Sequence, residues 1–139
     1  MLYDNHNQGR VLEEELFNRL KILPVKSLYT ERELIKIYGF DASSVDFVLE
    51  FDDHTVFIQT KYLKRRRKES NSIQKFIKSV KFINSNNKKF YGIWASRCKP
   101  FDDNVLYLNS NNIEVVSCFE SISTLVDLTI QNIRKFSFS

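Results

Sequence analysis

The sequence predicts an α/β domain on a mixed central β-sheet flanked by helices, its core elements running α-β-β-β-α-β. Three observations predict it. Segments with apolar residues at helical spacing alternate with short apolar runs of strand length. Two such runs, residues 45–51 and 55–61, are separated by a short polar turn, which suits an antiparallel hairpin. A helical pattern then intervenes before the run at 90–95, so that run can join the sheet as a parallel crossover.

At 139 residues the chain reads as one domain, long enough to bury a core. Its 42% hydrophobic and 27% charged content is ordinary for a globular protein. No apolar run reaches the roughly 18 residues that span a membrane, and no charged-then-apolar leader is visible. Cys98 and Cys118 are too few for a disulfide framework and lack metal spacing, so a reducing intracellular compartment is expected. Three glycines and two prolines argue against a long flexible linker.

The net charge of +4 conceals an asymmetry. Residues 61–89 carry eleven Lys or Arg against one acid, Glu69, while the rest of the chain is net acidic. One basic segment on an acidic body points to a face for a polyanion. The plain alternative is a solvated charge run.

Taken in order, residues 1–8 are polar and expected to be loose, with His6 incidental. A helix is expected over residues 9–22, where Leu12, Leu16 and Leu20 recur with Phe17 beside them. Glu13, Glu14 and Glu15 fall in its first turns, where the helix dipole favours acids. Glu13 lies three, four and seven residues before Leu16, Phe17 and Leu20 and so shares their inward stripe, where a carboxylate needs a partner. Pro24 closes this region, and residues 25–29 read as a first strand. Thr30 and Glu33 form a capping-box pattern for a short helix over 31–38, stopped by Gly39.

The central hairpin carries the site. Phe47, Leu49 and Phe51 share one face of the first strand, and Val56, Ile58 and Thr60 share one face of the second. Burying both sets together sets the register and requires an even turn, Asp52-Asp53 or Asp53-His54. Asp46 then falls on the same face as Gln59 and Lys61, whereas a slip of one residue separates them. His54 lies in the turn, with no functional role expected.

Asn71 and Gln74 open the next helix, whose inward stripe is Ile73, Phe76, Ile77, Val80 and Ile83. Lys75, Lys78 and Lys81 lie off that stripe. Residues 105–108 and 113–116 read as two further strands around an Asn-rich turn. A closing helix over 121–134 turns Ile122, Leu125, Val126, Thr129 and Ile133 inward.

Four motifs resemble those of the PD-(D/E)XK nuclease superfamily, most closely the archaeal Holliday junction resolvases and the Mrr-type restriction enzymes. GRVLEEEL resembles the first helix, with Gly9 followed four residues later by Glu13. SSVD resembles the segment ending in the strand-opening acid, here Asp46, with Val45 in place of the usual proline. IQTK resembles the (D/E)xK signature, on Gln59 and Lys61, with glutamine in the acidic position as in Mrr-type enzymes. The Asp46-to-Gln59 gap also matches the resolvases. The likeness covers residues 9–95 and extends only loosely beyond; the helix at 31–38 is an insertion relative to the resolvase pattern.

The resemblance implies a restriction-endonuclease-like core and Mg²⁺-dependent cleavage of DNA, branched or duplex, with Mn²⁺ able to substitute. It implies Asp46, the Gln59 amide oxygen and the Thr60 backbone carbonyl as metal ligands. Glu13 would hold a metal-bound water or a second ion. Lys61 would orient the attacking water and stabilise charge on the phosphate. Lys64, Arg65, Arg66, Arg67 and Lys68, with Tyr62 and Lys75, would contact backbone phosphates, and Ser43 and Ser44 the phosphate near the metal. A homodimer is expected, since two strands must be cut. The competing expectations are a catalytically silent nucleic-acid-binding domain on the same fold, and an interaction protein whose charge run binds an acidic partner.

Overall fold

The computed structural model of the chain describes residues 5–86 and 88–138; the His6 side chain lies outside what is described. The first helix, α1 (Asn5–Leu20), begins before Gly9, inside the stretch expected to be loose. Leu12, Leu16 and Leu20 are buried in the core, whereas Ile22 is exposed because the helix has already ended. Strand β1 (Ser27–Thr30) leads directly into α2 (Glu31–Tyr38). Both halves of the capping box form: Thr30 Oγ1 accepts from the Glu33 N–H, and the Glu33 carboxylate accepts from the Thr30 N–H. Gly39 stops the helix with φ of 83°, a conformation that costs glycine least.

After a 3-10 turn (Phe40–Ala42), strands β2 (Phe47–Glu50) and β3 (Thr55–Lys61) form the expected hairpin. Phe47 pairs with Ile58 and Leu49 with Val56, and the Phe51 N–H to His54 carbonyl bond leaves Asp52-Asp53 as the turn. His54 stacks on Phe51 and sits 2.8 Å from Ser137 Oγ, tying the turn to the end of the chain's last helix. Helix α3 (Ser70–Ile83) crosses over to β4 (Phe90–Ser96), which pairs parallel with β3.

Residues 105–108, expected as a strand, are instead part of helix α4 (Asp102–Ser110). Four apolar residues in a row do not distinguish helix from strand. Only Leu108 of the four is fully buried, and Leu106 is 69% exposed, the pattern of a helix packed by one side. Asp102 and Asp103 in its first turn suit the helix dipole. Asn112, at φ of 64°, then turns the chain into β5 (Ile113–Ser117), parallel to β4. Gly92 allows that approach, since a Cβ there would lie 2.8 Å from Ile113 Cγ1. Helix α5 (Ile122–Ser137), capped by the Ser121 hydroxyl, closes the fold.

The sheet runs β1-β2-β3-β4-β5, antiparallel at the first two junctions and parallel at the last two. Hydrophobic alternation divides its faces. Phe47, Leu49, Val56, Ile58 and Ile93 pack with leucines of α1 and with Leu125 and Ile130 of α5. Val48, Phe57 and Trp94 pack with Leu34, Ile73, Phe76 and Leu108 from α2, α3 and α4. Among the described residues no helix is long and apolar enough to cross a membrane.

Candidate active site

Asp46 sits where the hairpin ladder breaks. The register pairs Phe47 with Ile58, yet the Asp46 N–H also reaches the Ile58 carbonyl, at 2.9 Å. Two residues of one strand facing one of the other make a bulge, which re-aims a side chain. The Asp46 carboxylate therefore turns onto Thr60: its Oδ2 accepts from the Thr60 N–H at 2.8 Å and from the Thr60 hydroxyl at 2.7 Å. Asp46 is only 6% exposed. Burial raises its pKa, opposed by the two Thr60 donors and by the positive charge of Lys61.

The alternation read from the sequence, with Asp46 beside Gln59, thus needs correcting at this position. Asp46 precedes the regular strand, so alternation does not govern its direction. Gln59 pairs with Trp94 in the parallel ladder, on the α3 side of the sheet. Among the described residues its Oε1 is buried without a hydrogen-bond partner, as is Trp94 Nε1.

A cleft of about 410 Å³ opens over Asp46, lined also by Glu13, Glu14 and Phe17 of α1, Thr30, Glu31 and Arg32 at the start of α2, and Phe47. Glu13 is not within the buried stripe, which consists of Leu12, Leu16 and Leu20; it stands at the rim and remains exposed over much of its surface. Its pKa is nevertheless raised to about 7, by desolvation first and then by the charges of Asp46, Glu31 and Glu14.

Nothing in the sequence marks Glu31 for this cleft. As the first acid of α2 it reads as a helix-dipole residue, and Glu33, two positions later, carries the capping signal. The edge strand β1 decides otherwise: Thr30 pairs with Phe47, so the residue after Thr30 is delivered next to the residue before Phe47. The Glu31 side chain lines the cleft beside Asp46, and its pKa is also raised to about 7, by burial first and then by the Asp46 charge. Among the described residues none of the three carboxylates has a lysine, arginine or histidine within ion-pair distance.

Lys61 ends β3 opposite Ser96 and lies between two groups of acids. Its charge lowers the pKa of Glu13, Glu31 and Asp46 on one side and of Glu69 on the other. Glu69, at the start of α3, is 7% exposed, and burial raises its pKa against the pull of Lys61 and Arg67.

The basic run leaves β3 as a loop whose members differ. Lys64, Arg65, Arg67 and Lys68 are exposed. Arg66 is anchored, donating to the Lys99 and Pro100 carbonyls at 2.9 and 3.0 Å and lying over the Phe101 ring. Arg97, which belongs to no motif in the sequence, holds the loop from below. It donates to the Leu63 and Lys64 carbonyls at 2.7 and 2.8 Å and stacks between Tyr62 and Phe119. Tyr62 is thus largely occupied by Arg97. Ser43 is exposed and Ser44 half-buried in the loop before Asp46, and Lys75 is exposed on α3.

A mixed five-stranded sheet of this order, with helices on both faces and an acid at the head of β2 beside the end of β3, is a restriction-endonuclease-like fold. Among solved structures, the chain is similar to the small subunit of the heterodimeric restriction endonuclease R.BspD6I, with a TM-score of 0.53 and 9% sequence identity. The match covers 91% of this chain and 71% of that one. No family model matches the sequence. No curated protein matches it either.

Proposed function

We propose that the chain is a Mg²⁺-dependent DNA endonuclease of the PD-(D/E)XK type, resolvase-like or restriction-like, acting on branched or duplex DNA. The reading is supported by the restriction-endonuclease-like fold, with Glu13 and Asp46 lining one cleft and Lys61 following Thr60, the residue that holds Asp46. The donor set fits a hard cation: oxygen ligands dominate, and the carboxylates over the cleft lack an ion-pair partner among the described residues. Asp46 and the Thr60 carbonyl would hold Mg²⁺, or Mn²⁺ in its place, with Glu13 on a bound water or a second ion; the Gln59 amide oxygen, expected as a further ligand, is turned to the α3 side and does not line this cleft. When bound, the ion polarises the scissile phosphate and acidifies a water.

The remaining roles belong to the chain. Thr60 clamps Asp46 in one orientation. Lys61 holds the attacking water and meets the negative charge that builds on the phosphate. Lys64, Arg65, Arg67, Lys68 and Lys75 contact backbone phosphates, which positions DNA without reading its sequence. Arg66 and Tyr62 act in the same face chiefly by shaping the loop, and Ser43 and Ser44 approach the phosphate beside Asp46. Cutting two strands calls for a homodimer. The free thiols of Cys98 and Cys118 fit a reducing intracellular compartment.

A second reading, a silent DNA-binding domain, is favoured by one observation: the Gln59 oxygen is buried on the α3 side, without a partner among the described residues. Incubation with four-way junction, flap, duplex and single-stranded DNA, with Mg²⁺, Mn²⁺ or EDTA, separates the two. Metal-dependent product supports the endonuclease. Binding without product under every metal condition overturns it.

A further inference from the structure

We propose that Glu31 is a ligand of the metal site and supplies the negative charge that Gln59 does not. The inference rests on the endonuclease reading above and concerns which residues complete its site. The position of Glu31 is set twice over, by the capping box that starts α2 at Thr30 and by the pairing of Thr30 with Phe47, next to Asp46. The acid is therefore held by backbone geometry, not by a mobile loop.

Its carboxyl opens into the same cleft as those of Asp46 and Glu13. Two carboxyl groups in one cleft repel when both are ionised, and a proton or a cation between them relieves the repulsion. No basic side chain among the described residues pairs with either of them or with Glu13. A buried acid such as Asp46, with a second carboxyl in its cleft and no cation paired to it, is an environment a divalent cation satisfies. The capping function does not account for Glu31, because Glu33 performs it from the exposed side of the helix. The helix-dipole explanation does not account for it either, since it would be met equally with the carboxylate in solvent. Gln59, by contrast, is neutral and faces Trp94. Among the described residues no three acids, histidines or cysteines are grouped to hold a metal, so the charge at the site rests on the pair Asp46 and Glu31, without an acid at position 59.

The test is calorimetric titration of the full chain with Mn²⁺ in the absence of DNA. Wild type is compared with Asp46→Ala, Glu31→Gln, Glu31→Asp, Gln59→Ala and Glu15→Gln. Glu31→Gln should weaken Mn²⁺ binding by about tenfold or more, a loss that even outer partners of metal ligands produce. Glu31→Asp should recover part of the loss. Gln59→Ala should cost less than Glu31→Gln, and Glu15→Gln, exposed on α1 outside the cleft, should match wild type. Circular dichroism at the same pH confirms that each variant is folded. If Asp46→Ala loses Mn²⁺ while Glu31→Gln binds it as wild type does, the proposal is overturned and the endonuclease reading stands. If wild type and Asp46→Ala are indistinguishable in Mn²⁺ binding, the reading of the site fails and the proposal falls with it.

Discussion

The N–H and the hydroxyl of Thr60 both donate to Asp46 Oδ2, at 2.8 and 2.7 Å, so one residue holds the buried acid by two bonds. Replacing Thr60 by Val removes one donor and keeps the side-chain shape. A hydrogen bond to a charged group is worth about 1.5–3 kcal/mol. Thr60→Val should therefore lower the unfolding free energy by about that much at pH 8, while Thr60→Ser recovers most of it. Denaturant unfolding of the three proteins decides the matter, and a Thr60→Val curve superimposed on wild type would show that the clamp is energetically idle.

Asp46→Ala should abolish cleavage and leave DNA binding largely intact, because the phosphate-facing cations lie on the loop after β3 and not at Asp46. Cleavage and gel-shift assays on the same preparation test both halves. Metal-dependent cutting at near wild-type rate would remove Asp46 from the site.

The carboxyls of Glu13 and Glu31 are each raised from 4.5 to about 7 in the folded chain. The folded state then binds more protons than the unfolded state across that interval. The stability tied to these groups is present below pH 4.5 and is lost as pH rises through about 7. Burial raises Asp46 in the same direction. Metal-free protein should melt at a lower temperature at pH 8 than at pH 6, and Glu31→Gln should reduce the difference. Because metal binding requires the ionised carboxylates, Mn²⁺ should raise the melting temperature more at pH 8 than at pH 6. Equal shifts at both pH values would contradict this.

Arg65→Ala combined with Arg67→Ala should weaken binding to all DNA sequences alike. The slope of log affinity against log salt should fall by about 0.9 for each phosphate that is no longer neutralised. Arg66→Ala should behave differently, because its guanidinium is committed to the Lys99 and Pro100 carbonyls. Its main effect should be faster proteolysis or hydrogen exchange in the loop. A full salt-slope change from Arg66→Ala alone would place its side chain on DNA.

The alternating α/β order, the hairpin register and the capped helix at 31–38 are all legible in the order of residues along the chain. Each of these depends on local physics: period-2 or period-3.6 burial, an even turn, a Thr30–Glu33 box. The same order of residues offers Asp46, Glu13 and Lys61 as candidates, Glu13 on an inward stripe from which the folded helix leaves it out. The helix at 102–110 is not legible there, because four apolar residues look alike in either secondary structure until neighbours decide which side is buried. The direction of Asp46 comes from the assembled sheet, since a bulge is a property of two strands together and leaves no signature in either one. Pairing of β1 with β2 brings Glu31 to Asp46, because Thr30 and Phe47 are far apart in the chain and adjacent in the sheet. The commitment of Arg66 and Arg97 to carbonyls follows from loop closure over β4, where unpaired backbone oxygens need donors. Composition shows that the segment is basic; which of its charges remain free for a partner is settled by what the folded backbone leaves unsatisfied.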